Sequence, residues 1–329
     1  MDIDVKQDVL LAPYTVYKIG GPARFFVEAK NADEVKEVIK YAAEKQLSFF
    51  ILGAGSNILV SDKGFDGMVI RMVGGGVRTE GESLIADAGA MMARVVTEAA
   101  KAGLAGFEWG IGVPGTIGGS VRGNAGCFGN EMKDVMENVL VLQSTKHKAQ
   151  STNKTQNPKQ KTQTRELINL QCEFSYRDSV FKRHPAWIIL SATLKLAKGD
   201  PAEIQKKIRA ITQERVSKQD IGTKSCGCIF KNILWMRGDI DKEKLLAEFP
   251  ELTQFKNRPN IPASFLLDAS GCKGLREGSV VVSPKHANFF VNEGGATAKD
   301  VCILIQQTKE QVQKKFGIAL EEEIQFVGF

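Results

Sequence analysis

Histidine is nearly missing from this chain. There are three in 329 residues, His147, His184 and His286, and no two stand at a metal-ligand spacing, so no histidine-built metal centre is expected. No apolar run approaches the ~18 residues that span a bilayer. The first eleven residues hold three acids and no apolar core, unlike a secretory signal. Six cysteines are too few for a disulfide framework in a chain this long, which points to a reducing compartment. The rest is ordinary. Hydrophobic residues at 43% and charged residues at 25% exclude disordered, collagenous and membrane-embedded chains. The length suggests two or three domains.

Acidic residues are missing from one stretch, 144–164, which holds five lysines and almost nothing apolar. Without it, the formal charge of +6 falls to 39 basic against 38 acidic residues. The basic excess is therefore local, on a segment that cannot cover a core. It has no arginine and no aromatic residue to stack on bases. A polar insertion at the tip of a hairpin is expected, not a nucleic-acid arm.

Helical and strand patterns are mixed. Asn31 to Gln46 predicts a helix with Asn31 as cap, Asp33 and Glu34 in the first turn, and Val35, Ile39 and Ala42 on its apolar face. Met91 to Lys101 predicts a second, ending near Gly103. Pro201 to Lys218 predicts a long amphipathic helix connecting two halves. Lys242 to Phe249, Pro262 to Ala269 and Thr297 to Phe316, the last capped by Thr297, are further helices. Strands are expected at Ser48–Leu52, 67–73, 83–88, 138–143, 187–196, 286–292 and 322–327.

Residues 110–129 hold eight glycines, where the composition would give about two. Glycine costs backbone entropy. Such density is expected where backbone must approach a ligand and offer its N–H groups to phosphates; a tightly turned structural loop is the alternative. Gly110, Gly112 and Gly115 match GxGxxG, but Pro114 interrupts the turn and more glycines follow where a dinucleotide-binding helix should run. A second loop, Leu52-Gly53-Ala54-Gly55-Ser56-Asn57, ends a predicted strand and lacks the Gly-Lys-Ser/Thr of a nucleotide-hydrolysing loop. Two donor-rich loops without a catalytic lysine suit a long dinucleotide such as FAD.

Seven blocks then carry a resemblance, in order along the chain. They are Tyr17-Lys18-Ile19-Gly20-Gly21-Pro22-Ala23, the loop 52–57, Gly110-Ile111-Gly112-Val113-Pro114-Gly115-Thr116-Ile117-Gly118-Gly119, Asn124-Ala125-Gly126, Tyr176-Arg177-Asp178-Ser179, Gly227-Cys228-Ile229-Phe230-Lys231-Asn232, and Ser283-Pro284-Lys285-His286-Ala287-Asn288-Phe289. The set resembles the UDP-N-acetylenolpyruvoylglucosamine reductase family. That resemblance implies an α+β flavoprotein. Its FAD-binding domain would be of the vanillyl-alcohol-oxidase type, in two subdomains at 1–72 and 73–200. A substrate-binding α+β domain would follow at 201–329, with the last strand returning to the flavin site. It implies FAD as cofactor, NADPH as hydride donor and UDP-N-acetylglucosamine enolpyruvate as substrate. A cytoplasmic monomer acting in peptidoglycan precursor synthesis is expected, with no metal, no nucleic acid and no membrane.

By the same resemblance, FAD is held by Gly53, Ala54, Gly55, Ser56, Asn57, Gly112, Val113, Pro114, Gly115, Gly118, Gly119, Asn124 and Gly126. Arg177 faces the substrate carboxylate, where a guanidinium suits a developing enediolate. Glu323, with Glu322 as its rival in a run of three, lies near the same group. Cys228 takes the place of the proton donor, commonly a serine; a thiol is the stronger acid and can be oxidised. Tyr176, Lys231, Asn232 and Lys273 are the substrate-binding positions. Ile233 departs from the family, where proline commonly follows Lys-Asn. The stretch from Arg177 to Cys228 is too short for the substrate-capping loop of one subclass.

Two other readings compete. An alcohol or sugar-lactone oxidase of the same fold would often tether its flavin through an N-terminal histidine, and none precedes His147. A nucleotide-binding module without catalysis would take up no hydride.

Overall fold

The computed structural model describes residues 4–144 and 162–329. The bulk of the lysine-rich segment 144–164 lies outside the described residues. The chain is α+β and forms two compact units. The first takes the described residues up to Val9, Ala23–Ala54 and Asp66–Arg215; the second takes Leu10–Pro22, Gly55–Phe65 and Val216–Phe329. Two short N-terminal pieces thus belong with the C-terminal half.

In the first unit, Lys6–Leu10, Pro22–Ala29, Phe65–Met72 and Phe49–Leu52 form a four-stranded sheet in that order, the last two parallel. The helix expected after Asn31 is Ala32–Glu44, and the Asn31 side chain accepts from the amides of Asp33 and Glu34. Val35, Val38, Ile39 and Ala42 are the buried face. A second, five-stranded sheet runs Thr162–Ile168, Met136–Ser144, Trp187–Lys195, Ser83–Asp87, Val77–Glu80, antiparallel throughout. Helices Met92–Lys101 and Ile117–Arg122 add Met92, Val95, Val96, Ile117 and Val121 to the same apolar core.

Several strands carry no legible sequence signal. Thr162–Ile168 buries only Leu167; its polar residues stand on an edge strand, where pairing with Met136–Ser144, not burial, makes the structure. A short helix, Ile117–Arg122, forms among the glycines after Gly115, where the sequence carried little sign of one. Thr116 caps it by accepting from the Gly119 amide, and Gly118 needs its lack of a side chain, since a Cβ there would lie 2.9 Å from the Ala88 Cβ.

The helix Pro201–Lys218 buries only Ile204 and Arg215, so it is less amphipathic than expected. In the second unit, Arg276–Glu277, Val280–Val282 and Phe290–Asn292 form a small antiparallel sheet. His286 does not begin that last strand, as expected, but sits in the turn before it, accepting from the Phe289 amide at its carbonyl. Helix Ala298–Phe316 starts with Thr297 and Asp300 in a reciprocal capping box and packs on Ala263–Ala269 through Leu266, Leu267, Leu304 and Ile305. The C-terminal strand Gln325–Val327 pairs parallel with Ile58–Val60. Among the described residues, no helix is long and apolar enough to cross a membrane.

Candidate active site

The two glycine-rich blocks meet in the first unit. A Cβ on Gly53 would lie 2.5 Å from the Thr116 Oγ1, so the end of strand Phe49–Leu52 closes onto the N-cap of Ile117–Arg122. Gly112 and Gly115 have φ of 73° and 134°, values only glycine adopts easily. Their amides donate to no described residue, and Gly115 is buried. Buried N–H groups are rarely left unpaired, so the loop offers the Gly115 amide to an oxyanion, with the amide of exposed Gly112 open to the same use. Exposed Gly119 adds open space, its nearest neighbour being the Thr116 hydroxyl at 3.6 Å from a Cβ. These residues fit a cofactor diphosphate.

Three other expected cofactor residues also have close partners within the chain. Gly55 has φ of 64°, and a Cβ there would stand 2.4 Å from the Tyr14 carbonyl oxygen. A Cβ on Gly126 would meet the Asn130 carbonyl oxygen at 2.4 Å. Asn124 is fully buried. Its amide donates to Glu131 at 3.0 Å and to the Ser175 carbonyl at 2.9 Å, and its Oδ1 accepts from the Lys133 amide at 3.0 Å. Both amide hydrogens are spent, so Asn124 holds the loop and leaves no side-chain donor for a flavin.

Arg177 sits on a tight turn closed by reciprocal Ser175 and Asp178 backbone bonds of 3.0 and 3.1 Å. Its φ is 56°, a strained value for a non-glycine residue. The turn is fixed from outside by Asn124, and by Ser179, whose hydroxyl donates to the Arg122 carbonyl at 2.7 Å. Arg177 donates from Nη2 to the Gly126 carbonyl at 2.9 Å, and its guanidinium lies 5.3 Å from the Tyr176 ring centre. The turn therefore presents these two side chains together. Cys127 stands nearby, its thiol pushed up by burial and drawn back by Arg215 and Arg177.

In the second unit, the segment around Cys228 runs between two others. On one side Cys228 bridges Phe289, the Ile229 amide donates to the Asn288 carbonyl at 2.9 Å, and Asn288 bonds both backbone groups of Phe230 at 2.9 and 2.8 Å. On the other side the Glu323 amide donates to the Ile229 carbonyl at 2.7 Å, and the Lys231 amide to the Glu321 carbonyl at 2.9 Å. Cys226 is buried, its thiol pushed well up by burial, with Cys228 and Glu323 adding to the rise. The backbone of all three glutamates runs beside the Cys228 segment. Their side chains differ in partner: Glu321 pairs with Lys231 at 3.2 Å and Glu322 with Lys309 at 2.9 Å.

The expected substrate residues are partly tied up. Lys231 is held by Glu321. The Asn232 Oδ1 accepts from the Ala263 amide at 3.1 Å, capping the helix that follows Pro262. Lys273 pairs with Asp268 at 2.5 Å and is close enough to His286 to help burial hold its imidazole below the ordinary value. Ile233 is buried and pairs with Ile261, so this position takes part in a strand pair. Two arginines escaped the sequence reading. Arg215 is buried, donating to the Cys127 sulfur at 2.7 Å. Arg122 lies inside the glycine run, and its position there was the only sequence signal.

Residues 23–145 match the family model for an FAD binding domain, and residues 218–327 match that for the UDP-N-acetylenolpyruvoylglucosamine reductase C-terminal domain. The protein of that name from Carboxydothermus hydrogenoformans is 35% identical over 320 residues, 97% of this chain and 92% of its own. That from Caldicellulosiruptor saccharolyticus is 36% identical over 331 residues, 100% of this chain and 93% of its own. The crystal structure of the Thermus caldophilus reductase matches with a TM-score of 0.74 at 31% identity, covering 99% of this chain and 100% of that one. An FAD-binding domain followed by a reductase-specific domain defines an α+β flavin oxidoreductase. The chain belongs to the UDP-N-acetylenolpyruvoylglucosamine reductase family. The resemblance of the seven motif blocks and the expectation of FAD are thereby borne out.

Proposed function

We propose that the chain reduces UDP-N-acetylglucosamine enolpyruvate to UDP-N-acetylmuramate, with NADPH as hydride donor, in peptidoglycan precursor synthesis. What supports the reading most is Glu323, bonded through its amide to the Ile229 carbonyl at 2.7 Å in a family member matched along almost its whole length. The reading further has the enzyme act in the cytoplasm as a monomer, with 1–72 and 73–200 serving FAD and 201–329 serving the substrate.

FAD, when bound, would supply the hydride chemistry between NADPH and the enolpyruvyl alkene. The chain's own residues do the rest. The amides of Gly112 and Gly115 would hold the FAD diphosphate, and Gly53, Ala54, Ser56, Asn57, Val113, Pro114 and Gly119 are the further residues assigned to the cofactor. Arg177 binds the substrate carboxylate and neutralises the charge that grows on it. Its left-handed turn, pinned by Asn124 and Ser179, fixes that guanidinium before the substrate arrives. The Cys228 Sγ–H gives its proton to the carbon next to the carboxylate, and solvent later restores it. Glu323 orients the same group, and protonated it would donate to the growing charge. Tyr176, Lys231, Asn232 and Lys273 line the sugar nucleotide.

The test is an absorbance spectrum of the purified protein with NADPH, before and after adding the enolpyruvyl sugar nucleotide. A yellow protein that turns over NADPH continuously only with that substrate, giving a product two mass units heavier, is expected. A colourless protein, or a yellow one indifferent to the substrate, would remove the reading.

A further inference from the structure

Arg122 closes the last turn of helix Ile117–Arg122. It is half-buried, and its Nη1 is out of contact with solvent and has no hydrogen-bond partner. The side chain makes no hydrogen bond to any described residue. A guanidinium carries five N–H donors and does not give up its charge. Burial works against the charge, and Asp178 opposes this only in part; the Asp178 carboxylate is itself engaged by Arg183. A cationic N–H that is cut off from water and finds no acceptor is costly, because nothing replaces its lost hydration.

The backbone of the same residue is anchored to the turn that carries Arg177. The Arg122 carbonyl accepts the Ser179 hydroxyl at 2.7 Å, and Asn124, two residues on, donates to the Ser175 carbonyl at 2.9 Å. Arg122 is also at the far end of its helix from the Gly112 and Gly115 amides. Five residues at 1.5 Å each separate the two ends by about 8 Å. The cation thus belongs to the Arg177 end of the ligand path and not to the diphosphate end.

We propose that Arg122 is a substrate-binding cation that shares the enolpyruvyl carboxylate with Arg177. This rests on the function proposed above. A carboxylate has two oxygens and about four lone-pair directions, enough for two guanidinium groups. Substrate binding would complete a charge that folding leaves unmatched, which makes Arg122 a residue of function and a liability for stability.

That opposition of signs is the basis of the test. FAD-loaded Arg122→Met and Arg122→Lys are titrated with the enolpyruvyl sugar nucleotide, followed by flavin absorbance. UDP-N-acetylglucosamine, which has the diphosphate but no carboxylate, is used as a competitor. Both variants should keep FAD and be reduced by NADPH at the wild-type rate. The Met variant should melt no lower than wild type without substrate. Its Kd for the enolpyruvyl compound should rise about 10- to 100-fold, the range of a lost charge-assisted hydrogen bond. The Lys variant should lose less, and competition by UDP-N-acetylglucosamine should not change. An unchanged Kd in the Met variant overturns the proposal, as does equal weakening of the competitor, which would mark a diphosphate site. Loss of FAD from the folded Lys variant would assign the residue to the cofactor instead and also overturn it. A yellow wild type that never binds the enolpyruvyl compound would remove the proposed function and this inference with it.

Discussion

Asn57 donates its side-chain amide to the backbone carbonyl of Glu323 at 3.3 Å, and its own carbonyl accepts from the Gln325 amide at 3.0 Å. The last residue of the first glycine loop thereby sets where the parallel pairing of Gln325–Val327 with Ile58–Val60 begins. It also sets where Glu323 stands. Asn57→Ala removes the side-chain bond and keeps the backbone one. A stability loss of about 1 kcal/mol is expected, the size of one hydrogen bond, with a larger fall in kcat than in NADPH-driven flavin reduction. Denaturant unfolding and rapid-mixing absorbance would measure the two. Equal slowing of both half-reactions would show that Asn57 serves the cofactor directly.

Cys228→Ala tests the proton donor. FAD content and flavin reduction by NADPH should stay near wild type, while reoxidation by substrate falls about 10²–10⁴-fold, the usual share of a general acid. Cys228→Ser should keep much of the activity and lose the wild-type sensitivity to alkylation or peroxide. Reoxidation of the Ala variant at the wild-type rate would exclude the thiol as donor.

Neighbouring glycines should separate folding from cofactor binding. Gly118→Ala drives a methyl to 2.9 Å from the Ala88 Cβ and should lower the melting temperature. Gly119→Ala meets only the Thr116 hydroxyl at 3.6 Å and improves helix propensity, by up to about 1 kcal/mol. It should fold as well as wild type yet bind less FAD. Full flavination of a folded Gly119→Ala would move the cofactor away from this face.

Stability should fall above neutral pH. Burial raises the thiol of Cys172 to about 12 and that of Cys272 to about 11, against about 8.5 in an unfolded chain. The folded state then holds protons that the unfolded state gives up. Their stabilising share is complete below about 8.5 and is lost as pH rises toward the folded values, at up to about 1.4 kcal/mol per pH unit for each thiol. Urea midpoints between pH 7.5 and 10.5 would show it. Cys272→Ala should be less stable at neutral pH and decline less steeply; an identical slope would mean that Cys272 does not titrate on unfolding.

Ser144 and Thr162 pair directly across Met136–Ser144 and Thr162–Ile168. A two-residue Asn-Gly turn can join such a pair. Replacing 145–161 by that turn should leave folding, FAD content and turnover unchanged. Loss of activity in a folded, flavinated protein would give the lysine-rich segment a part in function.

The sequence by itself determined the helices with caps and regular apolar spacing, because those signals are local. Asn31 and Thr297 cap the helices assigned to them. It determined the family too, since the motif blocks keep their order along the chain. What sequence could not show was which neighbours each residue meets. Gly118 and Gly119 are adjacent and identical in type, yet one packs on Ala88 and the other faces open space. Glu321, Glu322 and Glu323 are indistinguishable in isolation; Lys231, Lys309 and the Ile229 carbonyl tell them apart. Asn124 reads as a flavin contact by motif, but three hydrogen bonds spend it on the loop. Arg122 carries no sequence signal beyond its place in the glycine run. Its meaning comes from burial without a matching anion, a property of the folded environment that only the tertiary structure could decide.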